Sequence, residues 1–323
     1  MNLLQRTPIL RRSLLSSAFL LLCNRPFTPV RSFSASSSYN MPPYSVTRSG
    51  TTITVSPKVE SDQTGLVVIM HGLGDSAEGF ADVAEQIASQ MPHLKIILPT
   101  APTQPVTMNM GMPMPSWYDL TGLDERSNER CKGIAESRQT VVDILDAEHQ
   151  SSKLPYDRMM LMGFSQGGAM SLFAGMQLPK EKKLGGIVVM SGYLPARAQF
   201  ALTPGLEDTP ILHCHGEADP MVQIRMARRS HEVLKNELGA SQYELKTYAN
   251  LVHTVSMDEL QDVQNFIQKI LPAPDVPMKD PSEMSVKELR AAIRRAGIGQ
   301  KAVGLMEKPE FVKLLKDHMD GKL

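Results

Sequence analysis

Six short β-prone runs, most of them continuously apolar, recur at 65–70, 95–99, 158–162, 186–190, 210–215 and 244–248. A strand that faces water on one side alternates apolar with polar residues, whereas a strand covered on both faces does not. Stretches of helical period lie between the runs, at 78–90, 127–149, 166–177, 223–238 and 256–271. Strand, helix and strand repeated in this way predict an α/β fold, a doubly wound and mostly parallel sheet with helices on both faces. With 323 residues, 42% of them hydrophobic, the chain has ample material for such a core.

Charge excludes some functions. Thirty-four Lys and Arg balance thirty-four Asp and Glu, so no global field draws the chain to nucleic acid or to an anionic membrane. Three widely spaced cysteines, Cys23, Cys131 and Cys214, make no disulfide framework and no zinc-finger spacing. The balance is uneven along the chain, however. No acidic residue precedes Glu60, while Arg6, Arg11, Arg12, Arg25 and Arg31 come early among many serines, the composition of an organelle presequence. Residues 1–50 are therefore expected to be a targeting presequence or a disordered tail, with the address mitochondrial and a cut between Phe33 and Ser34. Plastid or secretory routing, and a cytoplasmic form begun at Met41, stand as alternatives. The apolar run 14–23 is too short to span a bilayer, and no transmembrane anchor is expected.

The α/β domain is placed at 51–272, and within it 100–120 carries Pro and Met without a period, which predicts a long loop of the kind that often carries function. A proline-rich linker follows at 273–280. The remainder, 281–323, reads as a small helix-loop-helix unit, opened by the capping box Ser285-Val286-Lys287-Glu288 and carrying a second helix over 309–318.

Gly163-Phe164-Ser165-Gln166-Gly167 follows the buried run 158–162 and opens a helical stretch, which is the setting of a nucleophile elbow. A serine in so sharp a turn needs neighbours without bulk, and Gly163, Gly167 and Gly168 provide them. The competing reading, a glycine-rich phosphate turn, lacks both G-x-G-x-x-G and a P-loop lysine. An unperturbed serine is a weak nucleophile, so a histidine must take its proton and a carboxylate must fix the histidine tautomer. On this fold the chain order is Ser, acid, His. His253 follows the run 244–248 at a strand's carboxyl end, and Asp219 follows 210–215, whereas Asp208 precedes that run and faces the wrong edge. For the oxyanion, one backbone N–H comes from Gln166, after the nucleophile, and the second is assigned to Leu73 in His71-Gly72-Leu73-Gly74. His71 itself is expected to pack and hydrogen-bond. His213 and His215 share a strand face as metal ligands can, but no third ligand is evident, and no metal site is expected.

These pieces closely resemble the acyl-protein thioesterase, or phospholipase/carboxylesterase, family of α/β hydrolases. The resemblance covers about 65–271 and rests on HGLGDS, APTQPVTMNMGMPMPSWYDL, GFSQGGAM, SGYLP, HGEADPMV and the late His. It implies the same roles at Ser165, Asp219, His253, Leu73 and Gln166. It also implies removal of acyl chains from protein cysteines or from lysophospholipids, without metal or organic cofactor; lysophospholipase and general carboxylesterase are the alternative activities, and a silent ligand-binding module the non-enzyme one. The chain departs from the family at Ala249-Asn250-Leu251-Val252-His253-Thr254, where Gly-rich residues are usual, and the bulk there is expected to narrow the site or shift the acyl pocket. Met110, Met114 and Trp117 are candidates to line an acyl channel, with core packing the competing reading. The unit 281–323 resembles SAP-like helical units. Nine basic against seven acidic residues from 280 to 323 leave a net of two, too small for a nucleic-acid footprint, so a protein partner or packing is expected instead.

Overall fold

The computed structural model describes residues 42–123, 130–274 and 280–322. The presequence expected at the N-terminus lies, up to residue 41, outside the described residues, as do 275–279 of the linker. Eight strands form one sheet in the order β1-β2-β4-β3-β7-β8-β9-β10. They are β1 (Tyr44–Ser49), β2 (Thr52–Pro57), β3 (Gly65–Met70), β4 (Leu94–Pro99), β7 (Met159–Phe164), β8 (Gly186–Met190), β9 (Ile211–Gly216) and β10 (Tyr243–Tyr248). All pairs from β4 to β10 are parallel, while β1 with β2 and β2 with β4 are antiparallel. Strands β3, β8 and β9 are buried at every position, which is why they read as uninterrupted apolar runs.

Five helices accompany the sheet: α1 (Ala81–Gln90), α2 (Ile134–Ser152), α3 (Gln166–Gly175), α4 (Ile224–His231) and α5 (Met257–Ile270). Helix α4 continues as a π-helical segment, Glu232–Glu237, and the stretch predicted to run regularly over 223–238 changes period there. The core lies on both faces of the sheet. One cluster joins Leu66, Val68 and Met70 to Trp117, Val141 and Leu145; the other joins Val67, Ile69, Ile96 and Met162 to Ile87, Val263 and Ile267.

Two strands precede the first expected one, and β1 places the start of the sheet inside the segment expected to be a tail. Its exposed pattern at an edge gives no apolar run to read. The long loop also contains a two-stranded ribbon, β5 (Thr103–Val106) and β6 (Met112–Pro115), whose prolines disguise it as irregular. The C-terminal unit consists of α6 (Val286–Arg295) and α7 (Lys308–Met319) around its own core of Met284, Leu289, Ala292, Ile293, Phe311 and Leu315. Among the described residues no helix is long and apolar enough to cross a membrane.

The connections decide where a site can form. From β3 the chain passes through α1 to β4 on one side, then returns through α2 to β7 on the other. The loops that leave the carboxyl ends of β3 and β7 diverge there, and such a switch point is where open α/β sheets bind ligands.

Candidate active site

Ser165 occupies the turn between β7 and α3 with φ +53° and ψ −118°, a left-handed conformation that strains a residue bearing a side chain. The surroundings force it. The Ser165 N–H donates to the Met190 carbonyl at 2.8 Å, so the β7–β8 ladder holds it on one side. On the other side a Cβ on Gly167 would lie 2.1 Å from the Met70 carbonyl oxygen, and one on Gly163 would lie 2.3 Å from the Gly167 backbone. Only glycines let α3 start so close to β3.

The acid and the base arrive from later strand ends. Asp219 follows β9, and its Oδ1 accepts the backbone N–H groups of Met221 at 2.8 Å and Val222 at 2.9 Å. Its Oδ2 accepts His253 Nδ1–H at 2.7 Å, and the Ser165 hydroxyl donates to His253 Nε2 at 2.9 Å. A continuous chain of hydrogen bonds thus joins three residues far apart in sequence. The Asp219 side chain is fully buried, which strengthens its interaction with the imidazole, while His253 keeps partial exposure toward solvent. The Phe164 ring stands beside the imidazole, its centroid 4.9 Å away.

The loop 71–74 leaves β3 and packs on this turn, a Cβ on Gly72 falling 3.5 Å from the Ser165 Cβ. Leu73 lies in this loop, and Gln166 heads α3, where first-turn N–H groups have no helical acceptor and carry the positive end of the dipole. His71 braces the loop: its Nδ1 faces the Gly72 carbonyl at 2.7 Å and its Nε2 accepts the Ala101 N–H at 2.9 Å. Burial holds its pKa below the ordinary imidazole value, consistent with one neutral tautomer. The Gln166 side chain serves the opposite purpose from its backbone. Its Oε1 accepts the Trp117 N–H at 2.9 Å and its Nε2 donates to the Tyr118 carbonyl at 2.8 Å, fixing the segment after β6 to the head of α3. This bracing role was not legible in sequence, because it depends on where a long loop returns.

Of the three side chains weighed between an acyl channel and the core, Trp117 lies in the core. It is fully buried in the core cluster, and its indole N–H donates to the His71 carbonyl at 2.9 Å, so it supports the loop from beneath. Met114 is half-buried beside Gly74, whose N–H bonds the Pro115 carbonyl, and Met110 is 81% exposed in the turn of the ribbon. The bulk before His253 has separate fates. Gly216 leaves room for the Leu251 backbone, 2.1 Å from where a Cβ would stand, and Val252 turns outward. Among the described residues no three His, Cys, Asp or Glu gather as a metal site.

Known proteins share the sequence and fold of the sheet domain. A family model described as phospholipase/carboxylesterase matches residues 51–271. Acyl-protein thioesterase 1 of Mycosarcoma maydis is 38% identical over 237 residues, covering 69% of this chain and 98% of its own length. The protein of the same name from Neurospora crassa is 39% identical over 222 residues, 65% of this chain and 88% of that protein. The crystal structure of Zea mays acyl-protein thioesterase 2 superimposes with a TM-score of 0.57 at 27% identity, over 69% of this chain and all of that one. The chain belongs to the phospholipase/carboxylesterase family of α/β hydrolases and is a serine hydrolase.

Proposed function

We propose that the protein is an acyl-protein thioesterase that hydrolyses acyl thioesters on protein cysteines, with Ser165 as nucleophile, His253 as base and Asp219 as acid. The unbroken chain from Asp219 Oδ2 through His253 to the Ser165 hydroxyl carries this reading. Ser165 Oγ attacks the acyl carbonyl carbon and passes its proton to His253 Nε2. The oxygen that gains the charge turns to the N–H groups of Leu73 and Gln166. Collapse expels the thiolate, which takes the proton from His253 and leaves an acyl-serine. Water then attacks that ester, giving its proton to His253, and the carboxylic acid departs as Ser165 is reprotonated.

A fluorophosphonate probe tests the nucleophile. Wild type is expected to label and Ser165→Ala is not, with kcat falling on the order of 10⁴-fold or more. No labelling of wild type, or equal labelling of the variant, overturns the reading. Oxygen esters use the same apparatus, so rates on a palmitoylated cysteine peptide against lysophosphatidylcholine decide between a thioesterase and a lysophospholipase. The arginine-rich, acid-free leader supports a mitochondrial address, and a mature protein that begins at Met1 would refute its removal.

A further inference from the structure

Two buried histidines stand next to the site and take no part in the mechanism above. His213 and His215 alternate along β9, so their rings share one face, with centroids 5.5 Å apart, and both are fully buried. Their hydrogen bonds run in one direction. The Val222 carbonyl can only accept, so His215 Nε2, 2.7 Å away, holds the ring's proton. His215 Nδ1 is then bare, and it faces His213 Nε2 at 3.4 Å, which makes His213 the donor of that long contact. His213 Nδ1 in turn accepts the Tyr243 hydroxyl at 2.6 Å. The order is Tyr243, His213, His215, Val222.

The end of this chain bears on the acid. Val222 belongs to the turn whose N–H groups hold Asp219 Oδ1. The other oxygen, Oδ2, lies 2.7 Å from His253 Nδ1 and 3.7 Å from His215 Nε2, so two imidazoles face one carboxylate oxygen. The Val222 carbonyl decides the competition, because it takes the only proton His215 has. The groups that face this pair are few. His215 is surrounded by Asp219, His253 and His213; His213 is surrounded by His215, His231, Tyr243 and the Gly192 carbonyl. Burial lowers the pKa of His215 and pushes that of His213 well below the ordinary imidazole value, which keeps both rings uncharged.

We propose that His215 is a positioning residue acting through Asp219: by pinning the Val222 carbonyl it holds the acid turn closed and reserves Oδ2 for His253. The proposal rests on the reading of Ser165, His253 and Asp219 as the reacting triad. Two variants of the full chain test it. His215→Gln keeps an N–H donor at about the reach of Nε2, while His215→Met keeps similar length without a donor. The Met variant is expected to lose roughly 10- to 100-fold in kcat on a p-nitrophenyl ester with KM within about twofold. The acid limb of its kcat/KM profile moves to lower pH, since a poorly aligned carboxylate stabilises the His253 imidazolium less. The low-field Nδ1 proton resonance of His253 moves upfield in parallel. The Gln variant restores all three.

Equal behaviour of the Met and Gln variants, with the acid limb and the resonance unmoved, overturns the proposal and leaves His215 as packing alone. The resonance needs no turnover, so a wild type without esterase activity would defeat the functional reading while the role of His215 is still decided. If the Met variant does not fold, nitrogen-15 spectra of histidine-labelled wild type decide. A neutral His215 protonated at Nε2 at about pH 7.5 is expected. A His215 charged at that pH, or one protonated at Nδ1, overturns the proposal.

Discussion

At Ser165, function and stability oppose each other. Its positive φ costs on the order of 1–3 kcal/mol in a residue with a side chain, and the glycines around it keep the turn from relaxing. Comparing Ser165→Gly with Ser165→Ala isolates that strain, because both lose the hydroxyl and the bond to His253. Glycine normally destabilises relative to alanine, yet here the Gly variant is expected to be more stable by about 1 kcal/mol, measured by urea unfolding. An Ala variant more stable than the Gly variant by the usual margin of roughly 0.5–1 kcal/mol would show that the turn carries no strain. The residues at strand ends were legible because order and position narrow the choice: His253 and Asp219 follow parallel strands, and Asp208 precedes one. What escaped was support. The Gln166 side chain, the Trp117 indole and His215 act through contacts with loop carbonyls, and no spacing in the sequence encodes where a loop carbonyl will sit.

Among the elements, α5 carries the most consequential cap. Ser256 and Glu259 form a reciprocal capping box at its start, three residues after His253. Glu259 is fully buried, its Oε1 has no hydrogen-bond partner among the described residues, and desolvation pushes its pKa up to about 7, with Asp262 nearby adding to the rise. An acid whose folded pKa is raised binds its proton more tightly in the native state, so it lowers stability as pH climbs from about 4.5 to about 7. Glu259→Gln is therefore expected to match wild type near pH 4.5 and to exceed it by on the order of 1–3 kcal/mol at pH 8, read from thermal unfolding at the two pH values. An equal difference at both would mean that the carboxylate is not the cause. The strands show the same split between what burial writes into sequence and what it does not. Strands β3, β8 and β9 read clearly because helices cover both faces. Strand β1 lies at an edge with mostly exposed side chains, and the β5–β6 ribbon contains Pro105, Pro113 and Pro115. The π-helical end of α4 keeps an apolar pattern that a regular helix would also show.

Over the whole molecule, chemistry and the C-terminal unit draw on separate cores. The triad and its bracing residues all fall between His71 and His253, while Leu289, Phe311 and Leu315 pack with one another in α6 and α7. Leu315→Ala is expected to cost the C-terminal unit about 2–5 kcal/mol, seen as lost hydrogen-exchange protection in α6 and α7, with kcat/KM on a small ester within about twofold of wild type. A large loss of esterase activity would tie that unit to catalysis. The topology of the sheet also sets when the enzyme can act. At the switch point β3 pairs with β7, Leu66 beside Met159, so the centre of the sheet closes only across a long intervening chain. Ser165 reaches its strained turn when β3, β7 and β8 have joined, since the Met190 carbonyl holds its N–H and the Met70 carbonyl closes in on Gly167 two residues later. A chain in which these strands have not joined therefore carries Ser165 as an ordinary hydroxyl, and the long-range closure of the sheet is what arms it.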